Sequence, residues 1–241
     1  MSRSQPTDLF NQRWATYRTL LEHNLMEHRE VAEAIAVEID HWLARRSPMA
    51  PAPRLVDLGC GDLALLPPLL RRLPLACFTG LDLAPVVLPL AREALGPVNY
   101  PTHWLEGDLL SWAMGPDGEP ADILLSCFAI HHLEDDRKAL FLQGARQRIA
   151  PEGVFLWADV FRDPAEGREA AVRRYAERIE DGWQVLDAEA RRRTIDHVLA
   201  FDHPADRVGI QVVAEAAGWH WRWAWQGQHR AEALAVLTPA V

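Results

Sequence analysis

The sequence predicts an α/β domain with a mostly parallel sheet, because short apolar segments alternate with stretches of helical character. The apolar segments lie at residues 54–58, 76–83, 103–106, 121–128 and 153–160. Strands that alternate with helices favour right-handed crossovers and parallel pairing. The length of 241 residues fits one domain of this class with a sizeable core.

Two helical regions fall outside this alternation. Residues 8–46 carry apolar side chains at three- and four-residue steps, which predicts N-terminal helices that we assign as a lid over residues 1–50. A proline-rich break follows and leads into a core at 51–241. Residues 162–203 are rich in Arg, Glu and Ala, and we expect them to form a helical cap inserted into that core.

The end of the chain predicts a helix and a pair of strands. Residues 206–217 are expected to form a helix that Gly218 ends. Four tryptophans then alternate from Trp219 to Trp225, so a strand would place them on one face, where we expect packing against a helix rather than a ligand platform. With a closing strand at 233–237, they predict an antiparallel pair at the sheet edge.

Composition limits the partners. The net charge is −9 and the arginines are interleaved with acids, which argues against nucleic acid. No run of 18 apolar residues and no signal-like N-terminus occurs, so no membrane partner is expected. The sparse cysteines Cys60, Cys77 and Cys127 indicate reduced thiols and a cytoplasmic setting. No CxxC spacing occurs, and we expect no metal; the oligomeric state, a homodimer included, is left open.

A glycine turn after the first strand is the sharpest motif. The segment VDLGCGD, residues 56–62, lets a ligand approach the backbone at Gly59 and Gly61. The same glycines with Ala64 also satisfy the G-x-G-x-x-A fingerprint of dinucleotide sites. Asp57 and Asp62 flank the turn, and they would repel a diphosphate by several kcal/mol. The sulfonium and ammonium of S-adenosylmethionine suit these carboxylates better.

Acids also end the next two strands. Asp82 closes the second strand in GLDL, and an acid at this position accepts ribose hydroxyls in several cofactor classes. Asp108 follows the third strand in EGDL, where a carboxylate can bind an adenine amino group. The fourth strand ends in His131 and His132, on the side of the sheet that faces a ligand.

Taken in order, VDLGCGD, GLDL, EGDL and a strand closing in HHL resemble the class I S-adenosylmethionine-dependent methyltransferases. AAGW before the last strand pair is also similar to that family's terminal hairpin. The resemblance covers residues 52–160 and 206–240. It implies a Rossmann-like, seven-stranded, mostly parallel sheet with an antiparallel last strand, an S-adenosylmethionine cofactor, and methyl transfer by in-line displacement to a small-molecule acceptor.

The resemblance also implies cofactor contacts at numbered positions. The methionine end would lie against Asp57 and the turn, the ribose against Asp82, and the adenine against Leu83, Asp108 and Leu109, with Phe128 near the methyl group. The expected cofactor-binding residues are Asp57, Gly59, Cys60, Gly61, Asp82, Leu83, Asp108, Leu109 and Phe128.

Candidates for catalysis and for lid contacts come from the histidines and one tyrosine. His131 or His132 could act as a base, since imidazole titrates near neutral pH; alternatively, one of them caps the following helix or packs in the core. Tyr17 or His23 could contact the cofactor or substrate from the lid, against the alternative of a solvated helix face.

The cap offers further candidates for substrate binding. The residues of the cap that could address a substrate are Arg173, Arg174, Tyr175, Arg178, Trp183 and His197. Helical spacing brings Arg174 and Arg178 onto one face, so an anionic substrate is one hypothesis. Ion pairs with Glu177 and Glu180 would explain the same arginines equally well.

Two other functions stay open at this point. An NAD(P)-dependent oxidoreductase would use a similar turn, but Asp57 argues against it. A non-catalytic partner protein that binds the cofactor is the other alternative. A nucleic-acid methyltransferase is disfavoured, because the sequence at the end of the fourth strand is Ser126-Cys-Phe-Ala. It lacks the N/D-P-P-Y/F/W motif that resembles enzymes acting on the amino groups of bases.

Overall fold

The computed structural model describes residues 16–116 and 118–240. Its strands are β1 (Arg54–Leu58), β2 (Cys77–Asp82), β3 (Thr102–Glu106), β4 (Ala121–Cys127), β5 (Ile149–Arg162), β6 (Ala205–Asp206), β7 (Trp219–Gln226) and β8 (Glu232–Pro239). Its helices are α1 (His28–Arg45), α2 (Pro67–Arg72), α3 (Leu88–Leu95), α4 (Leu109–Met114), α5 (Asp135–Gln147), α6 (Arg168–Gly182), α7 (Ala188–Phe201) and α8 (Arg207–Ala216). Residues 16–22 are also helical.

The sheet has the order β3-β2-β1-β4-β5-β8-β7, and the two-residue β6 pairs with β5 outside this row. Strands β1 to β5 are parallel neighbours, whereas β8 is antiparallel to both β5 and β7. This confirms the mostly parallel sheet and the antiparallel last strand. The carboxyl ends of β1, β2 and β4 therefore meet at one edge, where open α/β sheets bind ligands.

Both faces of the sheet are covered. Helices α1, α2 and α3 pack on one face, and α4, α5 and α8 on the other. Strand interiors such as Leu55 in β1 and Leu124 in β4 are fully buried, which explains why these strands read as continuous apolar runs. None of the helices in the described ranges is long and apolar enough to cross a membrane.

The N-terminal region is helical in two separate segments, 16–22 and His28–Arg45, and residues 1–15 lie outside the described ranges. Helix 16–22 ends in a turn with positive φ at Asn24 (53°) and Glu27 (54°), and α1 then begins at His28. The side chain of Asn24 accepts the backbone N–H of Arg29 at 2.9 Å and donates to Glu30 at 2.7 Å. These local hydrogen bonds compete with the helix and stabilise the break.

The tryptophan stripe is only partly as predicted. Trp219, Trp221 and Trp223 lie on the face covered by α5 and α8, where they pack with aromatic residues of β5. A bulge between Trp223 and Trp225 shifts the register, so Trp225 packs on the opposite face. An extra residue on one strand moves the later side chains to the other face of the sheet, and alternation along the sequence cannot show such a shift.

A third apolar cluster lies beyond the carboxyl ends of the strands. It joins Leu20 and Met26 near the N-terminus to Tyr175 and Ile179 of α6, and to Val198 of α7. Residues 162–203 are therefore helical, as predicted, and pack against helix 16–22. The division into lid, core and cap stays a prediction.

Candidate functional site

A cavity of about 780 Å³ opens at the carboxyl ends of β1, β2 and β4. Sites for small molecules usually measure about 300–1,000 Å³. Its floor is the glycine turn and its roof comes from helix 16–22, α1, α6 and α7. The lining includes each predicted cofactor-binding residue, together with Tyr17, His131, His132 and Trp183.

The glycine turn leaves room for a ligand at one position only. Gly59 has φ +77°, and a Cβ there would lie 2.4 Å from Cβ of Ala129, so the turn packs against the end of β4. Gly61 has φ +52°, but a Cβ there would have no atom within 4 Å. The Gly61 amide donates to Asp82 at 2.8 Å, which fixes the turn on β2. Gly61 thus presents open backbone to the cavity.

Asp57 is a buried carboxyl group with no cation beside it among the described residues. It is 1% exposed, and its Oδ1 has no hydrogen-bond partner among the described residues. Burial, and secondarily the charge of Asp82, raise the pKa of Asp57 to about 8. An ammonium group in the adjoining cavity would supply the missing partner, so the residues present fit the amino-acid end of S-adenosylmethionine.

The other two acids are held in place by backbone amides. Asp82 accepts the amides of Gly61 and Ala84, both at 2.8 Å. Asp108 caps α4 by accepting the amide of Ser111 at 2.7 Å. Helix α4 itself was not predicted. A carboxylate oxygen has more than one lone pair, so both acids keep acceptor capacity toward the cavity.

Sequence reasoning missed His28, which lies beside Phe128. Phe128 adopts φ +51°, and its ring meets the imidazole of His28 edge-on, with 5.1 Å between centroids. His28 is 4% exposed, its Nδ1 lacks a described hydrogen-bond partner, and burial lowers its pKa to about 4. The signal was available, since His28 shares a helix face with Val31 and Ile35, three and seven positions on, both buried.

The low pKa of His28 predicts a pH-dependent stability. The unfolded chain binds a proton near pH 6.5 but the folded one only near pH 4, so stability falls as pH drops through this window. Between pH 7 and pH 5, we expect His28→Gln to lose about 1–2 kcal/mol less than the wild type in urea unfolding. Equal losses would contradict the assignment. His220→Gln, an exposed histidine of β7, is the control.

His131 is held by a buried acid of β5. Its Nδ1 lies 2.6 Å from Oδ1 of Asp159, and its backbone amide donates to Oδ2 at 3.1 Å. Burial alone would lower the pKa of His131, but Asp159 and Asp202 outweigh it and the pKa is raised. The pKa of His132 is lowered, first by the partial burial of its ring and second by the charge of the neighbouring His131. Neither side chain caps α5, so the capping alternative is wrong, whereas His131 is buried as the alternative of core packing expected.

Helix α7 brings two further polar groups to these histidines. His197 and Asp202 line the same end of the cavity, about 70 positions from His131 along the chain. His197 was a candidate for substrate binding, whereas Asp202 was not predicted. No short motif links the two segments, so only the packing of α7 over β4 brings them together.

The predicted substrate-binding residues separate into two groups. Tyr17 lines the cavity and donates to Asp62 at 3.4 Å; burial, then Asp62, raise its pKa. Trp183 also lines it. His23 is exposed and does not line the cavity, which agrees with the alternative of a solvated helix face.

Arg174 and Arg178 correct the anionic-substrate hypothesis, because both lie outside the lining of this cavity. Arg174 forms two hydrogen bonds to Glu166, at 2.8 and 3.0 Å. Arg178 binds Glu232 at 2.7 and 2.9 Å. The arginines therefore form ion pairs, as the alternative proposed, but their partners are Glu166 and Glu232 rather than Glu177 and Glu180.

A family model described as "Methyltransferase domain" matches residues 55–153. An uncharacterized methyltransferase of Mycobacterium tuberculosis is 37% identical over 100 residues, covering 42% of this chain and 47% of that protein. A trans-aconitate 2-methyltransferase of Streptomyces coelicolor is 36% identical over 116 residues, covering 46% and 37%. The matches span about half the length of these curated relatives, or less.

Solved structures share the fold. The plantazolicin methyltransferase BpumL, solved with a triazolic desmethylPZN analog and SAH, aligns with a TM-score of 0.63 at 12% identity, covering 93% of this chain and 91% of that one. The citrinin polyketide synthase CMeT domain gives a TM-score of 0.62 at 14% identity, covering 87% and 52%. With the glycine turn, the family match identifies residues 55–153 as a methyltransferase domain, and the chain shares the Rossmann-like fold of these solved methyltransferases. The methyltransferase domain, and structures of this fold that were solved with SAM or SAH, support S-adenosylmethionine as the cofactor.

Proposed function

We propose that this protein transfers a methyl group from S-adenosylmethionine to a small-molecule acceptor by in-line displacement. The observation that carries the proposal is the unpartnered carboxyl of Asp57 beside the open backbone of Gly61. A dinucleotide would instead bring a diphosphate to this position, next to Asp57 and Asp62, which disfavours the oxidoreductase alternative.

The chain's own residues divide the cavity into subsites. Asp57 and the glycine turn would hold the amino-acid end, Asp82 the ribose hydroxyls, and Asp108 the adenine amino group. When bound, the cofactor supplies a methyl group on a sulfonium, and the carbon–sulfur bond breaks with its electrons left on sulfur as the bond to the acceptor forms. The protein's share of catalysis is then to keep the acceptor close and in line.

The remaining wall of the cavity describes the acceptor. Leu20, Met26, Val160, Tyr175 and Trp183 line it and supply mostly apolar or aromatic surface. Such a wall excludes water and suits a small molecule that is largely apolar. His131 and His132 face the same space, so they are the residues that we propose to act on the acceptor. A non-catalytic partner protein that only binds the cofactor would not need these titratable side chains in the cavity, which disfavours that alternative.

Calorimetry tests the cofactor half of the proposal. We expect micromolar binding of S-adenosylmethionine and of its demethylated product, and none of NAD or NADP. Asp82→Asn should weaken binding at least about tenfold, the loss of about one charged hydrogen bond to the ligand. Asp181→Asn, on the exposed face of α6, should not change it. Binding of NAD or NADP without S-adenosylmethionine would overturn the proposal.

A further inference from the structure

Three imidazoles surround one carboxylate oxygen at the acceptor end of the cavity. Oδ1 of Asp202 lies 3.7 Å from Nε2 of His131, 3.6 Å from Nδ1 of His132 and 3.8 Å from Nε2 of His197. The candidate ligand atoms of His131, His132 and Asp202 all lie within 4.8 Å of one another. Each of these distances is too long for a hydrogen bond and leaves space between the atoms.

Asp202 is a buried carboxylate for which the described residues provide no hydrogen-bond donor to Oδ1. The residue is 7% exposed. A buried carboxylate without a donor carries a desolvation cost of about 1–3 kcal/mol or more. The subsites proposed for the cofactor do not use it, because it faces the histidines instead.

The surroundings of His131 match those of a metal ligand. Asp159, 1% exposed, holds Nδ1 of His131 at 2.6 Å, which leaves Nε2 directed at Asp202. Histidines that bind metals commonly donate their other ring N–H to a carboxylate, which fixes the ring and its tautomer. Asp159 is itself fixed by the indole N–H of Trp157 at 3.0 Å, so the arrangement is rigid.

We propose that His131, His132 and Asp202 bind a divalent transition-metal ion and leave the fourth position of a tetrahedral site open. Two imidazoles and one carboxylate are a donor set that suits Zn²⁺, Co²⁺ or Fe²⁺. A tetrahedral ion with bonds of about 2.0–2.1 Å holds its ligand atoms about 3.4 Å apart. Oδ1 of Asp202 lies 3.7 and 3.6 Å from the ligand nitrogens of His131 and His132, and all three ligand atoms lie within 4.8 Å of one another, so side-chain movements of about 1 Å would reach this geometry.

The site lies in the cavity that we assign to the cofactor and acceptor, so a role in methyl transfer follows if the proposed function holds. An acceptor that carries a hydroxyl would place its oxygen on the ion, which lowers the pKa of that hydroxyl and releases its proton to solvent. His131 and His132 are then ligands rather than free bases. No metal site was expected from the sequence, since these ligands belong to segments about 70 positions apart and form no local spacing motif.

Metal binding is tested on the full chain after treatment with a chelator. Calorimetry with Zn²⁺ should show one ion per chain, and Co²⁺ should give visible absorption bands of a low-symmetry site. Asp202→Asn and His131→Gln should each weaken Zn²⁺ binding at least about tenfold, and Asp159→Asn, which acts through His131, by about 10–100-fold. His220→Gln, an exposed histidine on β7, is the matched control.

The melting temperature of the wild type gives a readout that needs no variant, since an ion that binds only the folded state raises it. Absence of saturable Zn²⁺ and Co²⁺ binding by the wild type would overturn the metal site. Equal binding by the wild type, Asp202→Asn and His131→Gln would overturn it too. Binding of S-adenosylmethionine to the same metal-free protein is measured separately: its failure would count against the proposed function and leave the metal result intact.

Discussion

Arg178→Met is expected to reduce the free energy of unfolding by about 3–5 kcal/mol, because it leaves the carboxylate of Glu232 buried without its cation. Glu232 is 0% exposed at the start of β8, and Nη1 of Arg178 lies 2.7 and 2.9 Å from its two oxygens. Nη2 of the same guanidinium donates to the carbonyl oxygen of Leu25 at 2.7 Å. One side chain therefore connects α6 both to the sheet and to the turn after helix 16–22.

The matched control is Arg173→Met, which removes an exposed arginine from the same helix and should change stability by less than about 0.5 kcal/mol. In the double variant Arg178→Met/Glu232→Gln the buried charge is gone, and the hydroxyl of Tyr175, now 2.9 Å from Glu232, can still donate to the amide oxygen. We expect urea unfolding to show partial recovery. Equal stability of Arg178→Met and Arg173→Met would refute the role of the Arg178–Glu232 ion pair.

Asp57→Asn is expected to weaken S-adenosylmethionine binding by about 100-fold while stabilising the cofactor-free protein. The binding loss reflects a buried charge pair, whose disruption costs about 2–5 kcal/mol. The gain in stability follows from the raised pKa of Asp57, about 8 in the folded state against an ordinary 3.8. Between these values the folded chain holds a proton that the unfolded chain has released, so the wild type loses stability as pH rises.

The sign of the pH dependence separates this assignment from a general loss of structure. The melting temperature of cofactor-free Asp57→Asn should exceed that of the wild type most at pH 8 and converge with it toward pH 4. Calorimetry should show that the affinity of the wild type rises from pH 6 to pH 8, because the ammonium needs the ionised carboxylate. The variant should show a smaller rise. Unchanged affinity at pH 7.5 would contradict the proposed contact.

Local patterns predicted the part of the site that the strand ends carry. Asp57, Gly61 and Asp82 lie at the ends of apolar strands, and a parallel sheet brings such ends together whatever covers them. Their meeting at one cavity therefore followed from strand order alone. Sequence reasoning was weaker wherever a partner depended on packing rather than on local pattern.

Asp202 and Glu232 illustrate what could not be predicted. Asp202 reaches His131 only because α7 folds over the carboxyl end of β4, and helical periodicity does not specify where a helix docks. Glu232 pairs with an arginine 54 positions earlier, whereas helical spacing suggested neighbours one turn away. The turn at Asn24 and the bulge before Trp225 are likewise backbone irregularities that a periodic pattern does not record.

The position of β8 has a consequence for the order in which the protein can assemble. It comes after every other described strand in the chain, yet it lies inside the sheet, paired with β5 on one side and β7 on the other. When β1 to β7 have been synthesised, β5 and β7 each still lack β8 as a neighbour, so the two parts of the sheet cannot yet join. The first residue of β8, Glu232, is also the anchor for α6, so closure of the roof over the cavity must wait for the last strand to arrive.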